Sequence, residues 1–252
     1  MSRLTKTRAI VVRHAPLTES SRVIQWVTED HGKLVTLAKG AMRPRHGMLG
    51  QFDHLYTCEL LYYAREADAV YITREIAPIT LRTRFRQDWR AALAGAYLAD
   101  LTARVMPQHE PAPELFRLME SGLDELQERG WYAPMLFLYE LRLLDRLGLT
   151  PKLDRCAACD QAFKPSRRAA FSSRRGGMIC DACKGEPSDH AVGADVPAMM
   201  AFWRKSPDWT VVRASRPTAA QLAAVRTLNR DFLGYHLDLR AGARERTLDL
   251  LS

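Results

Sequence analysis

The sequence of 252 residues lacks the long apolar runs of membrane proteins and the short motifs that mark common enzymes. No apolar stretch approaches the ~18 residues that cross a bilayer, and the run "AIVV" at residues 9–12 is too short for the core of a signal peptide. A glycine-rich dinucleotide fingerprint and a Walker-type phosphate loop are both missing, as are HExxH and GxSxG. We therefore expect a cytoplasmic protein that has no membrane segment and is not an enzyme.

Cysteine is scarce, with five in the chain, yet four of them form two CxxC pairs in "RCAACD" and "ICDACK". The four are Cys156, Cys159, Cys180 and Cys183. Structural zinc takes four soft ligands at the corners of a tetrahedron, about 2.3 Å from the ion, and two CxxC turns can supply them. Because the spacing falls at the upper end of the usual zinc window, the sequence predicts one structural Zn²⁺ per chain.

Other roles for the four cysteines stay open at this point. A redox CxxC is expected near a βαβ pattern, which this sequence does not show, and disulfides are rare in a reducing cytoplasm. A catalytic zinc keeps one coordination position open, whereas four thiolates fill the tetrahedron. The fifth cysteine, Cys58, lies on the apolar face of a predicted strand, where we expect a small buried hydrophobe.

The periodicity of apolar residues changes along the chain. Five short strands separated by turns are predicted in residues 1–80, which favours a small closed barrel. Apolar residues recur every three or four positions in 81–150 and again in 191–252, which indicates helices in both segments. The segment 151–190 carries the CxxC pairs and is predicted to be a zinc-binding hairpin inserted between them. The polar tail after Arg240 is expected to fray.

Basic residues exceed acidic ones by 37 to 29, and residues 1–50 hold nine against three. Lys33 and Lys39 share a face of the predicted third strand, because an even number of positions separates them. Arg43 and Arg45 follow in a loop, and Arg22 completes the predicted DNA-binding set. Cations on a barrel strand and its adjoining loop suit the backbone of single-stranded nucleic acid; a merely solvated basic surface is the alternative.

Further basic and aromatic residues are candidate contacts. The arginines of the zinc segment can meet phosphates or remain solvated; they are Arg167, Arg168, Arg174 and Arg175. Four aromatic residues of the barrel can stack on bases or fill its core; they are Trp26, Tyr62, Tyr63 and Tyr71. We expect Trp26 and Tyr62 to lie in the barrel core.

Four stretches of the sequence resemble the RecO family of bacterial recombination mediators. They are "TRAIVVRHAPLTESSRVIQWVTEDHGKLVTLAKGAMRP", "YELRLLDRLGLTPKLDRCAAC", "FSSRRGGMICDAC" and "FLGYHLDL". The resemblance covers nearly the whole chain in the right order, and "HGKL" followed by "AKGA" is its most specific part.

This resemblance implies an α+β protein with an amino-terminal OB-fold, a helical domain and a zinc-binding insertion. It implies binding of single- and double-stranded DNA and annealing of complementary strands at the nucleoid. It also implies work with RecR, and often RecF, to load RecA onto DNA coated by single-strand DNA-binding protein. The family's zinc ligands correspond to the four cysteines, and its cationic strand and loop correspond to Lys33, Lys39, Arg43 and Arg45.

The family also binds the acidic tail of single-strand DNA-binding protein on its helical part, for which Arg142 and Arg146 are the candidate contacts here. Two other functions remain as alternatives. One is an enzyme that acts on nucleic acid and carries a structural zinc. The other is a zinc-ribbon adaptor that has no direct contact with DNA.

Overall fold

The computed structural model describes residues 3–45, 47–64, 70–163, 169–186, 189–239 and 241–251. The chain forms two compact units, one up to Gly130 and the other from Trp131 onward. The boundary between these units falls inside the predicted segment 81–150, and the predicted limits at 80, 150 and 190 stay a prediction. No helix in the described ranges has the length and apolar character needed to span a membrane.

The first unit begins with a five-stranded barrel. Its strands are β1 (Arg3–Pro16), β2 (Arg22–Thr28), β3 (Gly32–Ala38), β4 (Thr57–Ala64) and β5 (Tyr71–Thr80). They close in the order β1-β2-β3-β5-β4, with β3 and β5 parallel and the other neighbours antiparallel. A closed five-stranded barrel of this kind is the OB-fold, so the predicted fold class is confirmed.

The core of the barrel follows from strict alternation along the strands. In β3 every second residue is buried, as a pleated strand with one face inward requires. Trp26 and Tyr62 are almost fully buried in this core, and the Trp26 Nε1 donates to Thr36 Oγ1 at 2.8 Å. The expectation that both rings fill the core is confirmed. Cys58 is buried there too, and burial raises the pKa of its thiol to about 12.

Two helices, α1 (Trp89–Val105) and α2 (Pro113–Arg129), follow the barrel in the first unit. Asp88 caps α1 by accepting hydrogen bonds from two backbone amides of its first turn. Ion pairs join α2 to the barrel: Arg8 of β1 meets Glu120, and the buried Arg82 meets Asp124 at 2.8 Å. These ion pairs therefore hold α2 against the barrel.

Gly32, in the "HGKL" stretch, allows a close backbone approach. Its φ is +62°, and a Cβ atom there would lie 2.3 Å from the carbonyl oxygen of Pro107. The next amide, that of Lys33, donates to the same oxygen at 2.8 Å. Only glycine tolerates both the left-handed conformation and this approach, so the motif fixes the α1–α2 connection on the barrel.

The second unit contains five helices within the described residues. They are α3 (Ala133–Arg146), α4 (Asp195–Lys205), α5 (Val211–Ala214), α6 (Ala219–Leu237) and α7 (Ala241–Leu251). Every residue of α3 from Met135 to Leu144 is buried, which makes α3 the central helix of this unit. A small sheet completes the unit, with β6 (Ala169–Ser172) between β7 (Gly177–Cys180) and β8 (His190–Val192).

The expectation of a frayed tail after Arg240 is wrong, because α7 forms there and buries Arg244. The Arg244 guanidinium makes two hydrogen bonds to the carboxylate of Glu140 in α3, at 2.7 and 2.8 Å. Asn229 of α6 donates to the same carboxylate at 2.9 Å, and Glu140 is 0% exposed. The partners of Glu140 are 89 and 104 residues away in sequence. The polar character of the tail therefore could not reveal that Arg244 pairs with Glu140.

Candidate metal centre and nucleic-acid interface

The four predicted zinc ligands come together in space. The Sγ atoms of Cys156, Cys159, Cys180 and Cys183 all lie within 4.8 Å of one another, and those of Cys159 and Cys180 are 3.8 Å apart. A tetrahedron with metal–sulfur bonds of about 2.3 Å has edges of about 3.8 Å. The four cysteines therefore supply the sulfur donors that zinc prefers, and their sulfur atoms lie at nearly the separations that one zinc ion needs.

Backbone hydrogen bonds shape both CxxC turns. In the first turn the amide of Asp160 donates to the Cys156 carbonyl at 2.9 Å, and in the second the amide of Lys184 donates to the Cys180 carbonyl at 3.0 Å. The amide of Cys180 also donates to the Cys156 sulfur at 3.4 Å. Such amide donors stabilise a thiolate, which is the form that binds metal.

The predicted hairpin presents the second CxxC pair. Strands β6 and β7 pair from Ala169 opposite Cys180 to Ser172 opposite Gly177. The first pair is tied to the same hairpin, since the Met178 carbonyl accepts from the Ala157 amide at 2.7 Å. Gly177 has φ +151°, and a Cβ there would lie 2.3 Å from the Lys152 carbonyl oxygen. Backbone contacts thus bring the two halves of the metal site together.

The thiols of Cys156 and Cys183 differ in acidity. Burial alone would raise the pKa of Cys156, but donors that include the amides of Cys180 and Cys159 outweigh it and lower that pKa to about 6. The neighbouring thiols of Cys180 and Cys159 raise the pKa of Cys183 to about 12. Four adjacent thiolates repel one another, so full deprotonation needs a bound cation.

Two candidate arginines of the zinc segment, Arg174 and Arg175, have partners close to the metal centre. Arg174 forms an ion pair with Glu186 at 3.3 Å. Arg175 donates to the Cys183 carbonyl at 3.0 Å, which supports the second CxxC turn. Arg167 and Arg168 lie outside the described residues. Contact of these four with DNA stays a prediction.

The barrel cations gather where two loops meet. The amide of Gly40 donates to Ser21 Oγ at 3.2 Å, and that of Met42 donates to the Ser20 carbonyl at 3.0 Å. These bonds tie the start of the β3–β4 connection, where Lys39 and Arg43 lie, to the β1–β2 loop.

Arg22 is paired in register with Ala38, the residue before Lys39. We call Arg22, Lys39, Arg43 and Arg45 the cation cluster. Within the described ranges none of the four forms an ion pair with a carboxylate, and Lys39, Arg43 and Arg45 are exposed.

Lys33 differs from this cluster: it lies on β3, whereas Lys39 follows the last residue of that strand, Ala38, in a turn, so their predicted shared face stays a prediction. The Lys33 Nζ donates to the carbonyl oxygen of Ala103 at 2.9 Å, in the last turn of α1. A cation at a helix carboxyl terminus is favourable, because the helix dipole is negative there. Lys33 thus has a structural role in the barrel unit, and its contact with DNA stays a prediction.

The two candidate contacts for a partner's acidic tail have unlike surroundings. Arg142 is buried, donates to the carbonyls of Ser206 and Asp208 at 2.7 and 3.2 Å, and lies 4.0 Å over the ring of Trp209. Burial lowers the pKa of its guanidinium, and nearby Arg146 lowers it further. Arg146 is exposed. A role of either residue in binding a partner stays a prediction.

The fold and these sites define a class of protein, an OB-fold protein with a helical part and a four-cysteine metal centre. The family model described as "Recombination protein O N terminal" matches residues 1–82, and "Recombination protein O C terminal" matches residues 86–245. The chain belongs to the RecO family. Membership gives it a role in DNA repair and recombination.

Relatives named "DNA repair protein RecO" support this assignment. The protein of Rhodopirellula baltica is 31% identical over 77% of this chain and 72% of its own length. Those of Myxococcus xanthus and Moorella thermoacetica are 28% and 25% identical, and each alignment covers 97% of this chain and 95% or 90% of the relative. The similarity thus extends through both units.

Proposed function

We propose that this protein is a recombination mediator that binds single- and double-stranded DNA and anneals complementary strands without catalysing a chemical step. In this proposal it works in the cytoplasm at the nucleoid. With RecR, and with RecF in some reactions, it helps to load RecA onto DNA coated by single-strand DNA-binding protein. The exposed Arg146 is the better placed of the two candidates for that protein's acidic tail, because the Arg142 guanidinium already binds backbone carbonyls.

The observation that carries this proposal is the cation cluster at one end of the OB barrel. Annealing makes no covalent bond; it needs a surface that lowers repulsion between two phosphate backbones while the bases stay free to pair. Lysine and arginine supply affinity through phosphates without sequence preference. Lys39, Arg43 and Arg45 are exposed and have no carboxylate partner in the described residues, so their charge is available to DNA. The Arg22 guanidinium already donates to the carbonyls of Thr18 and Ser21 and contributes charge more than free donors.

We propose that the metal is Zn²⁺, one per chain, and that it is structural. The four cysteines would hold it, and their thiolates leave no position open for a substrate. The segment around them has few large apolar residues, so metal binding supplies stability that a small core does not provide. The chemistry of the ion is not needed for annealing.

Charge reversal in the cation cluster tests the proposed function. The double variant Lys39→Glu/Arg43→Glu should bind labelled single-stranded DNA at least tenfold more weakly and anneal complementary oligonucleotides more slowly. The slope of log K against log salt should become shallower by about 0.7 for each lost phosphate contact. Arg90→Glu is a matched control, because Arg90 is also exposed but lies at the first turn of α1, where an acidic residue is favourable.

Three outcomes separate the alternatives. Unchanged affinity in the double variant would reject the cation cluster as the DNA surface. A flat titration with the unmodified protein at low salt would favour the adaptor. Strand cleavage that co-purifies with the protein and requires Mg²⁺ would favour an enzyme.

A further inference from the structure

A row of apolar side chains crosses the outer surface of the barrel. Its members lie on five different strands, and each is paired in register with the next: Leu4, Tyr63, Ile72, Leu37 and Val23. Neighbouring strands are about 4.8 Å apart, so the row is continuous from β1 through β4, β5 and β3 to β2. We call these five residues the apolar row.

The pleat of the strands turns the apolar row outward. Tyr62 precedes Tyr63 in β4 and is buried in the barrel core, so alternation directs Tyr63 to the opposite face. Thr36 is buried in the same way before Leu37. Leu4 is 50% and Tyr63 is 38% exposed. Single exposed apolar residues are common on soluble proteins, but a contiguous apolar row across five strands is typical of a binding surface.

Tyr63 is the aromatic residue of the barrel best placed to receive a base. Trp26 and Tyr62 lie in the core, and Tyr71 packs against it. An exposed aromatic ring can stack on the face of any base, because every base has a π-face. The ring of Tyr63, with Leu4 and Ile72 on either side in register, offers such a surface.

The apolar row adjoins the cation cluster. Arg22 directly precedes Val23, and Lys39 follows Leu37 by two residues, which places the Cα atoms of Lys39 and Leu37 at most about 7 Å apart. Tyr63 lies two strands beyond Leu37, about 10 Å away. A strand of DNA covers that distance within a few nucleotides. A strand whose phosphates lie on the cation cluster therefore brings its bases to the row.

We infer that the apolar row binds unpaired bases of single-stranded DNA, with one base stacked on the ring of Tyr63. This inference rests on the proposed function and deepens it, because it assigns the contact to the bases. Stacking uses the face of a base and leaves its pairing edge free for a complementary strand. Adjacent cations and an aromatic ring suit single-stranded nucleic acid better than a protein partner, since the cores of protein interfaces are depleted of charged residues.

The test measures binding of the full-length protein to three fluorescently labelled probes: an oligothymidylate, an abasic strand of the same length and a duplex. Tyr63→Ala should bind the oligothymidylate about tenfold more weakly and bind the abasic strand and the duplex as the unmodified protein does. The slope of log K against log salt should not change, because no phosphate contact is lost.

Three further variants serve as controls. Tyr63→Phe keeps the ring and should keep the affinity, whereas Tyr63→Leu keeps an apolar side chain without a ring and should weaken binding of the oligothymidylate. Trp89→Ala removes another exposed aromatic residue of the first unit, 58% exposed at the start of α1, and should bind every probe normally. Thermal unfolding of each variant confirms that it is folded.

Three results would overturn the inference. Normal binding of the oligothymidylate by both Tyr63→Ala and Tyr63→Leu would show that no base stacks there. An equal loss on the abasic strand would place the backbone, not a base, at Tyr63. Unchanged DNA affinity together with altered self-association in sedimentation would make the row an interface between copies of the chain. The proposed function is judged separately, by the Lys39→Glu/Arg43→Glu variant, which should lose affinity for all three probes.

Discussion

At the scale of single residues, Lys33 and Lys39 show how two lysines six positions apart acquire different roles. The ammonium of Lys33, in β3, binds the Ala103 carbonyl at 2.9 Å, whereas Lys39, just after the strand, is exposed beside the β1–β2 loop. The spacing of the two lysines in the sequence predicted neither role. It could not predict that α1 ends against Lys33, because that contact joins residues 70 positions apart.

A pair of neutral substitutions separates these two roles. Lys33→Gln should reduce the free energy of unfolding by about 1 kcal/mol, since it removes a hydrogen bond from a charged donor, and it should weaken DNA binding less than Lys39→Gln does. Lys39→Gln should weaken DNA binding and change the free energy of unfolding little. Chemical denaturation and fluorescence anisotropy on both variants give the comparison, and a stability loss confined to Lys39→Gln would contradict the assignment.

At the scale of elements, the buried Glu140–Arg244 pair joins α3 to α7, while Asn229 adds α6. Breaking a buried ion pair on one side leaves an uncompensated charge, which costs about 3–5 kcal/mol. Arg244→Met should therefore destabilise the second unit strongly. The double variant Glu140→Leu/Arg244→Met should recover much of that loss, because no buried charge remains. A double-mutant cycle measured by thermal unfolding gives the coupling energy between Glu140 and Arg244. If the effects of the two single substitutions simply add, the two residues contribute to stability independently of each other.

The zinc hairpin is a second element whose stability is testable. Cys156→Ser/Cys180→Ser should lose the metal and become sensitive to protease between residues 150 and 190, because the segment depends on the ion for its structure. Elemental analysis of the purified protein measures the metal, and mass spectrometry locates the cuts. Cys58→Ala is the matched control: it alters a cysteine of the barrel core and should keep one metal per chain. Full metal retention in the serine variant would refute the ligand assignment.

At the scale of the whole molecule, the boundary between the two compact units does not fall where the periodicity of apolar residues changes. Strand and helix patterns change near residue 80, yet α1 and α2 share the first unit with the barrel. Long-range contacts cause this: Arg82 reaches Leu55 and Thr57 at 2.7 and 2.9 Å and also pairs with Asp124. Alternation and spacing predicted the barrel, the central helix and the zinc ligands, because those are local signals. Ion pairs between distant residues carry no such signal.

A truncation series follows from these contacts. A fragment that ends at residue 130 should unfold cooperatively, whereas one that ends at residue 82 should aggregate or unfold without a transition. The shorter fragment loses the α2 partners of Arg8 and Arg82, which are Glu120 and Asp124, and exposes the barrel surface that α1 and α2 cover. Thermal unfolding followed by circular dichroism measures both. A well-folded shorter fragment would show that the barrel is autonomous.

The closed barrel also limits how partners can bind. Each of its five strands already has two neighbours, which leaves little edge to which an extended peptide could add a strand. The pairing of β3 with β5 is the shortest, at Thr36 with Tyr71 and Leu37 with Ile72. Away from that pairing, recognition of a protein tail by the barrel relies on side chains and loops, and its specificity resides in residue identity. The small sheet is different: among the strands of the described residues, β8 (His190–Val192) pairs with β6 alone, so its second edge has no strand neighbour there.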